Sequence, residues 1–90
     1  MGNEKGKTYL KVKVFWRPEA QQQNFEGEAI AVSSKNQLGN FDILPGHTNF
    51  ITFIFKELTI HLDKKKKISF QFERGILEVS EDNVNIFLGL

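Results

Sequence analysis

Alternation of period two runs through almost the whole chain, broken every few residues by turn-forming residues, and this restricts it to a sheet. Leu10, Val12, Val14 and Trp16 fall on one face of a first strand. Lys11 and Lys13 fall on the other face, with Phe15 an apolar exception. Pro18 ends that strand, because it cannot donate to a ladder and biases Arg17 away from helix. The polar run Ala20 to Asn24 leads to Phe25-Glu26-Gly27 and a second alternating stretch, and residues 33–39 read as a loop. Phe41 and Ile43 begin a short strand that Pro45-Gly46 turns. Phe50 to Phe55 is rich in β-branched and aromatic residues, the composition a half-buried pleated surface prefers. Turns are expected at Lys56-Glu57, Asp63 to Lys67, Glu73-Arg74-Gly75 and Glu81-Asp82-Asn83, with strands between them and a last one from Val84 to Leu88. No window holds a helical period for long. The pattern predicts an all-β fold, a flattened β-sandwich or barrel of roughly eight to ten short, mostly antiparallel strands.

Ninety residues make one domain, expected over 9–90 after a flexible N-terminus at 1–8. Nine Phe and 40% hydrophobic residues suffice for a core and exclude intrinsic disorder. No cysteine is present, so neither a disulfide nor a thiolate metal site can staple the fold. A net charge of +1 is too balanced to imply a polyanionic partner. The polar start has no apolar segment of a signal peptide, and no transit peptide is seen.

Chemistry is sparse. His47 and His61 are the only histidines, with no carboxylate at a convincing ligand spacing, so no metal is expected. Ser33, Ser34, Ser69 and Ser80 carry no nucleophile motif, and no glycine-rich nucleotide loop is visible. Neither a catalytic set, a nucleotide site nor a cofactor is expected. Lys64 to Lys67 read as a solvated hairpin tip, since charged tips block edge-to-edge aggregation. Lysines beside many Phe resemble a single-strand binder, but most Phe fall on inward positions and acids offset the lysines, so no nucleic-acid partner is expected.

Several short segments occur in a telling order: Pro18-Glu19, Phe25-Glu26-Gly27, Gly39 to His47 (Gly-Asn-Phe-Asp-Ile-Leu-Pro-Gly-His), Gly75-Ile76-Leu77-Glu78-Val79, and Val84-Asn85-Ile86. In this order and spacing the chain resembles the N-terminal β-sandwich domain of the ε subunit of F-type ATP synthase, called δ in mitochondria. The resemblance runs from about Tyr9 to Leu88. It implies a non-catalytic rotor part of the central stalk that links the γ subunit to the c-ring loops in proton-coupled ATP synthesis. It also implies a peripheral place at the cytoplasmic face of a bacterial cell membrane, touching the membrane only through the complex. On the same ground Asn40, Phe41, Asp42 and His47 are expected to meet γ or the c-ring. The residues themselves allow a plainer role for this segment, with Phe41, Ile43 and Leu44 as core and His47 satisfying backbone groups. Asp42, Arg74 and Lys56-Glu57 depart from glycines common in the family. The C-terminal helical hairpin of many ε subunits has no counterpart here, so its inhibitory and ATP-sensing roles are not implied. A different class of function is a stand-alone ε-like sandwich acting as an interaction or regulatory module outside the synthase. A rotor part predicts a continuous patch of exposed apolar residues, larger than a lone monomer usually shows.

Overall fold

The computed structural model describes residues 9–90, and the segment 1–8 expected to be flexible lies outside the described residues. Seven strands follow one another: β1 Leu10–Trp16, β2 Phe25–Ala29, β3 Ala31–Asn36, β4 Gly39–Ile43, β5 Phe50–His61, β6 Lys67–Ser80 and β7 Asn83–Leu88. A single 3-10 turn at Pro18–Ala20 is the one helical element among the described residues. Part of the expected loop at 33–39 is strand: β3 runs to Asn36, and a tight turn at Gln37-Leu38 leads into β4.

All seven strands hydrogen-bond into one sheet in the order β2-β1-β7-β6-β5-β3-β4. Among the described residues every pairing is antiparallel except that of β1 with β7. That order decides the shape. β2 and β3 are separated in the chain by Ile30 alone, yet five inter-strand steps separate them in the sheet. In a flat sheet five steps would span about 24 Å. Two Cα–Cα steps reach at most about 7 Å. The sheet must therefore fold over on itself, which turns one sheet into the two layers of a sandwich.

The fold line crosses β5 and β6, and it explains why the strands number seven. Lys56-Glu57 and Glu73-Arg74-Gly75, expected as turns, are bends within two long strands whose pairing continues on both sides. Between the pairs Phe55↔Arg74 and Glu57↔Gln71, two residues of β6 stand against Lys56 alone, which is a β-bulge. The extra residue shifts the alternation of β6. Ile68, Phe70 and Phe72 turn inward before it, whereas Gly75, Leu77 and Val79 do so after it. Both halves of the bent strand thus present apolar residues to one core. Lys56 takes φ 77°, the left-handed region that strains a non-glycine residue.

Fourteen apolar side chains close the core, among them Leu10, Val12, Val14, Val32, Ile43, Ile54, Leu58, Ile60, Leu77 and Ile86. Each buried Leu, Ile or Val among them contributes about 1.5–3 kcal/mol relative to exposure. At Gly75 the adjacent strand β7 comes closest: a Cβ there would lie 2.6 Å from the Phe87 carbonyl oxygen and 2.9 Å from Leu88 Cδ2.

Candidate partner-binding surfaces

β4 is an edge strand, paired only with β3, so its outward side chains are open to a partner. Asn40, opposite Lys35, is exposed. Phe41 is half-buried and meets the Phe50 ring edge-on, with centroids 6.2 Å apart, so it packs against the core. Asp42 is exposed and accepts a hydrogen bond from Ser33 Oγ at 2.6 Å. The same Ser33 Oγ lies 3.0 Å from His61 Nε2. A serine, a histidine and an aspartate thus meet, an arrangement the sequence conceals because they come from three strands. The order is wrong for nucleophilic catalysis, which needs the imidazole between hydroxyl and carboxylate. Here the Ser33 O–H donates a hydrogen bond to Asp42, so His61 Nε2–H donates to the hydroxyl oxygen. The chain ties edge strand β4 to β3 and β5.

Beyond β4 the turn Leu44–His47 closes with His47 N donating to the Leu44 carbonyl at 3.1 Å. It lifts Leu44 off the sheet, leaving it 56% exposed, which corrects the expectation that Leu44 is core. His47 is exposed. Its Nδ1 lies 2.7 Å from the Thr48 carbonyl, which can only accept, so Nδ1 carries the proton. Its ring lies 5.0 Å from that of Phe50. Gly46 N donates to Asp82 Oδ1 at 2.7 Å, which fixes this turn against the β6–β7 connection. Among the described residues Asn40 and His47 therefore keep polar groups without a partner at the surface, while Phe41 and Asp42 are already engaged within the sandwich. Among the described residues no three His, Asp or Glu gather as metal ligands.

The surface that sequence reasoning did not locate is the outer face of β1, β7, β6 and β5. Register places Phe15 beside Phe87, Phe87 beside Ile76, and Ile76 beside Phe53, one residue from each strand. The Phe15 and Phe87 rings stack at 5.3 Å. Ile51 adjoins the row and, with Phe53, is more than half exposed at 66% and 52%, while Phe87 is 40% exposed. A shallow apolar hollow opens between Ile51, Phe53 and Ile76. Partly exposed apolar side chains thus form a row across four strands. Its sequence signal is a strand apolar on both faces: Phe15 breaks the alternation of β1, and Phe50 to Phe55 has no polar side except Thr52.

The family model of the ATP synthase delta/epsilon chain, β-sandwich domain, matches residues 18–88. The chain belongs to that family. No curated protein matches it. Among solved structures, a chain of the Euglena gracilis mitochondrial ATP synthase, seen by cryo-electron microscopy with OSCP, F1 and c-ring in rotational state 1, shares the fold with a TM-score of 0.80 at 14% identity. The match covers 97% of this chain and 54% of that one, so the chain spans about half the length of its relative. A chain of the Tetrahymena thermophila mitochondrial ATP synthase central stalk and c-ring gives a TM-score of 0.69 at 16% identity, covering 97% of this chain and 67% of that one.

Within this delta/epsilon domain the departures from family glycines divide by backbone geometry. Asp42 and Arg74 stand in ordinary strand positions, where a side chain costs nothing. Lys56 alone takes a positive φ among the three.

Proposed function

We propose that this delta/epsilon-type domain is a non-catalytic central-stalk part that joins the γ subunit to the c-ring of a proton-coupled ATP synthase. The observation that carries this reading is the partly exposed apolar row of Phe15, Phe87, Ile76 and Phe53 on a fold of this family. A torque-transmitting piece must bind without slipping, which calls for roughly 1,200–2,000 Å² of buried surface with a few apolar anchors. The row supplies such anchors for γ. The exposed Asn40 on β4 suits the polar c-ring loops, and His47, whose Nε2 meets no partner among the described residues, gives γ a second polar contact. The domain then works at the cytoplasmic face of a bacterial membrane, held there only through the complex. The two solved structures described above are mitochondrial, and in a mitochondrion the same assembly would hold it through the same partners.

Co-expression with the γ subunit of the same genome, followed by size-exclusion chromatography, tests the proposal. Stable co-elution at micromolar concentration is the expected result. Failure of the wild-type chain to co-elute would give preference to a stand-alone interaction module. His47→Ala is expected to weaken the complex while leaving the fold intact by circular dichroism.

A further inference from the structure

The sheet ends in two edge strands, β2 and β4, and they differ in how each would receive a second copy of this chain. Among the described residues each has a strand on one side only, so a row of backbone N–H and C=O groups on each is open to another strand. β2 is guarded. Its exposed side chains are Glu26 and Glu28. Antiparallel pairing of two β2 strands about Glu26, Gly27 or Glu28 sets carboxylate against carboxylate. β4 carries no such guard. Its exposed side chains are Asn40 and Asp42, a neutral donor and an acceptor on either side of Phe41. One residue beyond each end of the strand stand Leu38 and Leu44, 90% and 56% exposed.

Leu38, Asn40, Asp42 and Leu44 alternate along the chain as apolar, polar, polar, apolar, and an antiparallel partner meets them in reverse. With the two-fold axis at Phe41, Asn40 of each copy is opposite Asp42 of the other, and Leu38 is opposite Leu44. The Asn40 amide donates to a carboxylate whose Oδ1 accepts from Ser33 and whose other oxygen has no partner among the described residues. The leucines, at the surface in one copy, are removed from water together. Other registers fail. Centring on Asn40 puts Leu38 against Asp42. Centring on Asp42 opposes two carboxylates and puts Asn40 against Leu44. A slip of one residue sets Phe41, which packs on Phe50, against a polar surface residue. Complementarity selects one register.

We infer that two copies of this chain join through β4, edge to edge and antiparallel about Phe41, as a symmetric dimer. A seam built on the five residues of β4 is small beside the roughly 1,200–2,000 Å² of a stable interface, so the dimer forms only as concentration rises. Dimerisation does not require the rotor reading. Asn40 cannot meet a c-ring loop and Asp42 of a second copy at once, so on that reading the dimer is the form outside the complex.

Sedimentation equilibrium of the chain alone, from roughly 10 μM to 1 mM, spans the range in which so small an interface dissociates. Reversible exchange between monomer and dimer is expected. Asn40→Asp sets two carboxylates against each other, twice by symmetry, and should weaken the dimer about tenfold or more, most at low salt. Adding Asp42→Asn exchanges the two residues, restores the amide–carboxylate pair and should recover the wild-type constant, which a folding defect could not do. The chain has no cysteine, so the register can be read by crosslinking. A mixture of Leu38→Cys and Leu44→Cys proteins should oxidise to the mixed disulfide, since opposed Cα atoms lie about 4.5–5.5 Å apart. Neither variant should crosslink to itself, because about 20 Å of strand separates like positions. A monomer throughout the range, an Asn40→Asp variant that dimerises undiminished, a double variant that does not recover, or disulfides between like positions would each overturn this dimer. None of these outcomes bears on γ binding, which co-expression tests separately.

Discussion

Gly75 shows how one residue fixes a β-sandwich. It belongs to the Gly-Ile-Leu-Glu-Val segment, but the sequence says only that glycine is there, not what requires it. The reason is distance: the backbone of β7 passes so close that an added Cβ would be 2.6 Å from the Phe87 oxygen. That atom belongs to the backbone and cannot swing aside. Gly75→Ala should therefore cost about 1–3 kcal/mol, the range for overpacking a tight interior. Chemical denaturation followed by Trp16 fluorescence would measure it, and an unchanged midpoint would refute the crowding. Asp42 makes the opposite point. The family resemblance suggested a partner contact for it, yet its carboxylate already accepts a hydrogen bond from Ser33 Oγ, a link invisible without the register of β3 with β4 and β5.

Elements were legible where alternation was uninterrupted. β1, β7 and the two halves of β5 and β6 could be read from period two, because burial of one face imposes it. The bends could not. Lys56-Glu57 and Glu73-Arg74 carry the polar residues of turns, and a bulge leaves the same trace as a hairpin end until its pairing is known. At that bend Lys56, at φ 77°, bears strain that glycine would not. Its ion pair with Glu73 is exposed and screened, although it holds the Glu73 carboxyl below the usual range. Lys56→Gly should accordingly stabilise the fold by about 0.5–1 kcal/mol, the left-handed penalty outweighing the lost pair. A lower unfolding midpoint would show that the pair dominates. The β5–β6 tip has its own lock. Asp63 Oδ1 accepts the N–H groups of Lys65 and Lys66 at 2.7 and 2.8 Å, and these bonds, before the charge of Lys66, hold its carboxyl below the usual range. A depressed folded pKa adds stability that is present above the unfolded value and lost as pH falls through the folded one. The tip should thus keep its structure to pH below the ordinary aspartate midpoint. An NMR titration finding Asp63 at or above that midpoint would contradict it.

For the described residues as a whole, the consequential pairing is β1 with β7, their first strand beside their last and the only parallel pair among them. Nothing local announces it, since hydrophobic alternation gives the faces of a strand and not its neighbours. The antiparallel neighbours β5–β6 and β6–β7 can form as hairpins with short loops. β1, however, finds β7 only after nearly the whole chain has been placed, and β2 can join only once β1 is in the sheet. The core follows the same logic, because Leu10, Val12 and Val14 on β1 pack into one cluster with Val84, Ile86 and Leu88 on β7. Such long-range closure delays folding, because loop entropy is lost before the contacts that offset it are gained. Refolding from denaturant should take milliseconds to seconds in one main phase, and fluorescence and circular dichroism should give coincident equilibrium transitions. Val14→Ala should destabilise by about 1–3 kcal/mol, and if β1 docks late it should mainly speed unfolding rather than slow folding. Stopped-flow measurements in which that variant slows folding and leaves unfolding unchanged would place β1 in the nucleus. The closure of the sandwich would then begin at its parallel seam instead of ending there.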